Sequence, residues 1–298
     1  MKISILGFGT IGSGVYEIAG ANGIEIARVL DLRDIDVPEL TKSFDDVLES
    51  DSDTVVETMG GEHPAYEFVK QCLESGKNVV TSNKALVAAF GEELVETAKA
   101  HGVQFLFEAS VGGGIPIIHV ITECLRCDEI TRISGILNGT TNFILKQMDE
   151  KGMSFDEALK LAQELGYAER DPSADIEGWD TCRKTAILGW LISGRMPDYK
   201  SIPTEGITKI TKEDIDRARA EGRTLKLLGV VEKDEEGKLN AYVRPTLLGP
   251  EDELCNVNGV MNAVLVESKY MGRSMYYGPG AGKLPTATAV IADVMRTV

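Results

Sequence analysis

Lys2-Ile3-Ser4-Ile5-Leu6-Gly7-Phe8-Gly9-Thr10-Ile11-Gly12 opens the chain, and its reading decides the fold. A short apolar strand, Lys2–Leu6, runs without a linker into G-x-G-x-x-G. In such a turn Gly7 allows the tight bend, Gly9 lets backbone approach a pyrophosphate, and Gly12 permits close strand–helix packing. The helix that follows offers amide donors and the positive end of its dipole to an anion. An acid about 20 residues further on is expected to meet a ribose. Asp31 stands nineteen positions after Gly12. The same glycines, with Gly14, break any helix of a secretory leader after Lys2.

Outward from this turn, short β-like runs alternate with helical stretches. Strands are expected at residues 24–30, 54–58, 78–81 and 104–108. Ser43 and Asp46 cap a short helix over 44–49, and His63-Pro64 opens a helical run ending at Ser75-Gly76. That rhythm implies right-handed crossovers and a parallel sheet. The fold class is α/β: a Rossmann-type doubly wound domain over 1–115, then a mixed α+β domain over 116–284. A last helix, 285–298, closes the chain.

The second domain begins with an apolar helix over 117–126 and a strand over 129–137. Helices follow over 142–150 and 154–165, the latter opened by a Ser154/Glu157 capping box. A single helix is expected over 176–193 and a charged surface helix over 211–222. Residues 225–232 and 239–247 read as a hairpin around the polar turn 234–237.

Composition excludes several functions. The 298 residues carry 47 Asp and Glu against 31 Lys and Arg, a net charge of −16, which argues against nucleic acid or a membrane surface as partner. No segment reaches the roughly 18 uncharged residues of a membrane span. Five cysteines are few and odd in number, which suits a reducing cytoplasm rather than a disulfide scaffold. Cys124 and Cys127 form C-x-x-C inside the expected 117–126 helix and its end, and read as packed thiols. The three histidines are scattered, and no Ser/His/Asp or Cys/His pattern supports nucleophilic hydrolysis.

Several charged residues stand where chemistry is done. Lys84 follows strand 78–81, and ligands of an open α/β sheet bind beyond the strand carboxyl ends. Asp180, Lys184, Ile187 and Leu191 share one helical face. The apolar continuation implies partial burial of the acid–lysine pair, where a lysine suits proton transfer. Glu169, Asp171 and Asp175 crowd the preceding turn and suit an ammonium-bearing substrate, although solvated loop acids are the commoner reading of such a cluster. Asp31 favours NAD by repelling a 2′-phosphate, whereas Arg33 is placed to receive one. Both cofactors remain open, with NADP or dual use preferred.

Together the motifs resemble homoserine dehydrogenase over nearly the whole chain. They comprise the glycine turn, Val79-Val80-Thr81-Ser82-Asn83-Lys84, Glu108-Ala109-Ser110-Val111-Gly112-Gly113-Gly114-Ile115-Pro116 and Ile136-Leu137-Asn138-Gly139-Thr140-Thr141-Asn142. Gly166-Tyr167-Ala168-Glu169, Asp175-Ile176-Glu177-Gly178-Trp179-Asp180, Arg183-Lys184 and Gly278-Pro279-Gly280-Ala281-Gly282 complete the set. The resemblance implies NAD(P)-dependent interconversion of aspartate 4-semialdehyde and homoserine, in amino-acid biosynthesis, by a cytoplasmic homodimer. The 116–284 region would serve catalysis and dimerisation, and helix 285–298 would return to the nucleotide domain.

Carried over residue by residue, Lys184 would donate a proton to the aldehyde oxygen, with Asp180 beside it and Lys84 as cofactor-side companion. Glu169, Asp175 and Asp180 would hold the substrate, with Gly139, Thr140 and Tyr167 nearby. Gly7, Phe8, Gly9, Thr10, Ile11, Gly12, Asp31 and Arg33 would bind the cofactor, and Gly166 and Gly280 or Gly282 would approach its nicotinamide. A monovalent cation such as Na+ would sit at Glu108 and the carbonyls of Val111, Gly113 and Ile115.

Two departures stand out. The segment from the turn to the second strand is short, and no length is left for a C-terminal ACT domain, so feedback through one is not expected. The alternatives are another NAD(P)-dependent amino-acid dehydrogenase of this architecture, such as one acting on aspartate, and a non-catalytic NAD(P)-sensing homologue. Aspartate-semialdehyde dehydrogenase fits less well, since no cysteine sits in an evident Cys/His site.

Overall fold

Lys2–Leu6 forms β1, the strand from which the rest of its sheet is built, in the computed structural model, which describes residues 1–297. The chain divides into two compact units, one of residues 1–118 with 281–298 and the other of residues 119–280.

In the first unit β1 is joined by β2 (Glu25–Leu30), β3 (Leu40–Thr41), β4 (Thr54–Glu57), β5 (Asn78–Thr81) and β6 (Phe105–Leu106). All pairings are parallel, in the order β3-β2-β1-β4-β5-β6. The order runs one way from β1 to β3 and the other from β4 to β6. Loops diverge at the carboxyl ends of β1 and β4, where such sheets open a crevice for ligands. The sequence reading missed β3, which is two residues long. It placed a five-residue strand at 104–108, where β6 has two and Glu108–Ser110 turns as 3-10 helix.

The helices of this unit are α1 (Thr10–Ala21), α2 (Asp45–Leu48), α3 (Ala65–Glu74), α4 (Lys84–Ala100) and, from the end of the chain, α10 (Lys283–Arg296). Ile3, Ile5, Val29, Val56 and Val80 from the strands meet Val15 and Ala19 of α1 and Val290, Ile291 and Val294 of α10 in one core. Each valine or isoleucine among them contributes about 1.5–3 kcal/mol when fully buried. Gly12 is the tightest point: a Cβ there would lie 2.0 Å from the Gly7 carbonyl oxygen.

The second unit is built on an antiparallel sheet of β7 (Ile130–Ile136), β8 (Thr224–Lys233), β9 (Leu239–Leu248), β10 (Met261–Ser268) and β11 (Gly272–Pro279), ordered β11-β10-β7-β8-β9. The β8–β9 hairpin forms where the sequence placed it. The helices are α5 (Gly139–Lys151), α6 (Phe155–Glu164), α7 (Ser173–Ile176), α8 (Trp179–Ser193) and α9 (Lys212–Ala220). Ser154 and Glu157 form the expected capping box of α6.

Three local readings are corrected. The apolar helix expected at 117–126 is only a π-helical turn, Val120–Cys124. Its sequence is rich in β-branched residues, which are stiff in helices, and the Ile117 and Ile118 amides are taken by the Glu108 carboxylate at 2.6 and 2.8 Å. Cys124 and Cys127 are therefore exposed free thiols rather than packed ones. The single helix expected at 176–193 is broken in two by Gly178, at φ +90°. The helix expected at 142–150 begins earlier, because Asn138 caps it by accepting the Thr141 amide at 2.9 Å.

Candidate active site

In each unit, candidate residues gather where a strand hands over to a helix, at the β1–α1 turn and at the β7–α5 turn. In the first unit, α1 starts from Gly9, which brings no side-chain acceptor to the first-turn amides. A Cβ on Gly9 would meet nothing within 4 Å, so the space over the turn is open. Amides without a capping side chain, at the positive end of a helix and facing open space, fit a pyrophosphate.

Asp31, one residue beyond β2, is drawn into this turn. One carboxylate oxygen accepts the Phe8 amide at 2.8 Å and Arg33 Nη2 at 2.7 Å; the other accepts Arg33 Nε and the Arg33 amide, both at 2.9 Å. The Arg33 guanidinium holds the Asp31 carboxyl far below the usual carboxylate range. Its repulsion of an anion is offset by a bidentate partner, and the Arg33 side chain remains 65% exposed.

Lys84 is the first residue of α4, half-buried, behind the N-cap Asn83, whose side chain accepts the Ala85 and Leu86 amides at 3.1 and 3.2 Å. Glu108 is buried, with its own amide donating to Asp293 of α10 at 2.8 Å. Val111 and Ile115 are buried beside it, and Gly112 and Gly113 turn the chain through positive φ. A carboxylate among backbone carbonyls is a donor set for a hard cation. Among the described residues no cluster of three His, Cys, Asp or Glu side chains forms a metal site.

In the second unit, β7 and α8 converge on one network. Lys184 Nζ, on a residue only 8% exposed, donates to Asp180 Oδ2 at 2.8 Å and to the Leu137 carbonyl at 2.7 Å. Burial of the Asp180–Lys184 pair, expected from the helical face, is thus observed. Asn138 completes the network. Its Oδ1 is taken by the Thr141 amide, so its Nδ2 points to the acids, donating to Asp175 Oδ1 at 2.7 Å and Asp180 Oδ2 at 2.9 Å. The amide bridges two carboxylates that would otherwise repel.

Thr140 Oγ1 donates to the Tyr167 carbonyl at 2.6 Å, tying the start of α5 to the turn after α6. The Tyr167 ring meets Phe143 edge-on. Gly139 begins α5, and Gly166 is exposed in the turn. Glu169 is exposed and linked to Gln163 only through its backbone carbonyl. Gly280 presses on the buried Asn262 amide at the end of this unit, and Gly282 precedes α10 in the other.

Residues 116–295 match the family model described as homoserine dehydrogenase, and residues 7–108 match its NAD-binding domain. The homoserine dehydrogenase of Bacillus subtilis is 41% identical over 316 residues, covering 100% of this chain and 73% of the relative. The crystal structure of a homoserine dehydrogenase from Thiobacillus denitrificans superposes with a TM-score of 0.95 at 42% identity, over 100% of this chain and 73% of that one. The chain belongs to the homoserine dehydrogenase family. It is an NAD(P)-dependent oxidoreductase acting on a CH–OH group, interconverting aspartate 4-semialdehyde and homoserine in amino-acid biosynthesis.

A third relative, a hyperthermophilic archaeal homoserine dehydrogenase in complex with NADPH, superposes with a TM-score of 0.86 at 30% identity, over 99% of this chain and 97% of that one. No helix among the described residues is long and apolar enough to cross a membrane. Sequence reasoning singled out Asp175, Asp180 and Lys184 but passed over Asn138. The available signal was an asparagine directly before a helix, a preferred N-cap whose amide is left to do something else.

Proposed function

We propose that Lys184 is the acid–base group of the reaction, giving a proton to the aldehyde oxygen and recovering it from the homoserine hydroxyl. The observation that carries this is its pair of fixed acceptors. An ammonium has three hydrogens; Asp180 and the Leu137 carbonyl use two, and the third is left for a substrate oxygen. The nicotinamide, when bound, supplies or accepts the hydride. As negative charge grows on the substrate oxygen, the ammonium stabilises it and then transfers the proton, so no covalent intermediate is needed.

Asp180 orients the Lys184 side chain and faces its ammonium with a carboxylate. Asp175, Asp180 and Glu169 receive the substrate ammonium and hydroxyl, with Gly139, Thr140 and Tyr167 lining the approach. The first unit holds the dinucleotide at residues 7–12, with Lys84 on the cofactor side, and the 119–280 unit carries catalysis and dimerisation. Gly166 and Gly280 or Gly282 approach the nicotinamide.

The neutralised Asp31 and exposed Arg33 favour NADP or dual use. The NADPH held by the archaeal relative is consistent with this reading. Glu108 and the carbonyls of Val111, Gly113 and Ile115 would hold a monovalent cation such as Na+, which would brace that loop. Exposed Tyr270 and Met271 in the turn before β11, with Met275 and Tyr277 on the strand, support a homodimer, and five free cysteines suit a reducing cytoplasm.

The decisive experiment is single-turnover reduction of NADP or NAD by homoserine with Lys184→Ala and Lys184→Arg proteins. The hydride step should collapse in both while cofactor still binds. Normal turnover in Lys184→Ala would remove Lys184 from this role.

A further inference from the structure

Glu57 ends β4, at the place where the strand order of the parallel sheet reverses, and none of the chemistry above uses it. It pairs with Leu6 of β1 on one side and Thr81 of β5 on the other. Its side chain is fully buried, yet it collects four donors. Oε1 accepts the Met59 amide at 2.7 Å, the Gly60 amide at 3.3 Å and Asn83 Nδ2 at 3.4 Å; Oε2 accepts the Thr81 hydroxyl at 2.5 Å. Burial pushes the carboxyl up, and the four donors pull it the other way.

Two of these donors belong to the loop after β4, and two to the end of β5 and the turn that follows it. Asn83 caps α4 and so fixes the turn on which Lys84 stands. Asn83 Nδ2 also reaches the Gly61 carbonyl at 2.6 Å, locking residues 59–61 to the same turn. Met59 in turn packs on the glycine loop, where a Cβ on Gly7 would lie 3.0 Å from Met59 Cγ. Thr58 Oγ1 donates to the Gly7 carbonyl at 2.8 Å. One buried carboxylate therefore joins the phosphate-binding turn to the segment carrying Lys84.

We propose that Glu57 is a positioning residue for hydride transfer, setting the Lys84 turn against the glycine turn across the crevice between β1 and β4. The proposal rests on the reading of Lys84 as a cofactor-side residue. Glutamine at this position keeps the volume but offers one acceptor oxygen where Glu57 uses two. Its amide would face a Thr81 hydroxyl whose oxygen already accepts the Asn83 amide at 2.9 Å.

The test is a double-mutant cycle on kcat/KM for the cofactor, using Glu57→Gln, Lys84→Met and the two together. Glu57→Gln should lower kcat/KM about tenfold, since displacement of a positioned group by a fraction of an ångström is enough. In the Lys84→Met background the same change should cost less than about twofold, because the group being positioned is gone. Losses that multiply would overturn the proposal and leave Glu57 a purely structural residue, whose substitution would lower the melting temperature without coupling to Lys84. A fully active Lys84→Met protein would instead refute the reading of Lys84, and the single variant identifies that failure by itself. Should Glu57→Gln not fold, Thr81→Val removes one of the four donors and should show a smaller loss with the same coupling.

Discussion

Lys184 and Lys226 are both buried lysines of the 119–280 unit, and they are solvated by the protein in opposite ways. Lys184 faces a carboxylate, Asp180, and one carbonyl. Lys226, 1% exposed on β8, gives its hydrogen bonds only to neutral oxygens: Asn142 Oδ1 at 2.9 Å, the Val257 carbonyl at 2.5 Å and Asn258 Oδ1 at 3.2 Å. All three of its hydrogens are spent tying β8 to α5 and to the loop before β10. One lysine is charge-compensated with a hydrogen to spare; the other is fully used and uncompensated. Burial alone does not mark a lysine fit for proton transfer. The partner set does.

The largest effect should come from breaking the compensated side. Lys184→Ala should lower kcat about a thousandfold, within the range for removal of a general acid, while cofactor titration shows unchanged affinity. Lys226→Met, by contrast, should act mainly on stability. Stopped-flow measurement of the hydride step in the two variants checks the contrast, and comparable losses would erase it.

Asn138 sharpens the same comparison, because it gives Asp180 a neutral donor beside the charged one from Lys184. Asn138→Ala removes a helix cap, worth about 1 kcal/mol, and leaves Asp175 and Asp180 without their shared amide, at a further cost of about 1–2 kcal/mol. The melting temperature should fall and the KM for homoserine should rise. An unchanged KM would mean that Asp175 does not receive the substrate.

The uncompensated side has a pH signature. Burial, with the charge of Lys146 nearby, pushes the Lys226 ammonium down to about 8, whereas an unfolded lysine titrates at about 10.4. Between these values the unfolded chain binds more protons than the folded one, so this group makes stability rise with pH. Below the window both states carry the charge and the folded protein bears its full burial cost; above it both are neutral. Relative to Lys226→Met, the wild type should gain about 3 kcal/mol across this window in urea unfolding. A pH-independent difference would show that Lys226 is not strained by its neutral surroundings.

What was legible in the sequence follows the range of the forces involved. The β1–glycine-turn–α1 unit, the Ser154 capping box and the β8–β9 hairpin are written in adjacent residues, and each forms as read. The Asp180–Lys184 pair was legible because both lie on one helix, four residues apart. Asn138 joins the pair across 42 residues, and Glu57 reaches Asn83 across 26, so neither contact has a local pattern to announce it. The failed helix at 117–126 has the same cause. Glu108, nine and ten residues upstream, captures the amides that would have begun it.

The smallest effect concerns a charged pair at the surface, where compensation is incomplete in a third way. Arg33 neutralises Asp31 yet keeps its guanidinium exposed, so the same side chain can hold the acid and meet a 2′-phosphate. Arg33→Ala removes the cation and returns Asp31 to repelling that phosphate, while a ribose hydroxyl would find the freed carboxylate a better acceptor. The ratio of kcat/KM for NADP over NAD should therefore fall about tenfold, the value of one charge-assisted contact. Asp31→Asn should move the ratio the other way, since it removes the repelling charge and leaves Arg33 unpaired. Both ratios come from initial rates with homoserine at fixed ionic strength. If neither substitution moves the ratio, the Asp31–Arg33 pair serves only to shape the glycine turn through the Phe8 amide, and selectivity must be set elsewhere in the 1–118 region.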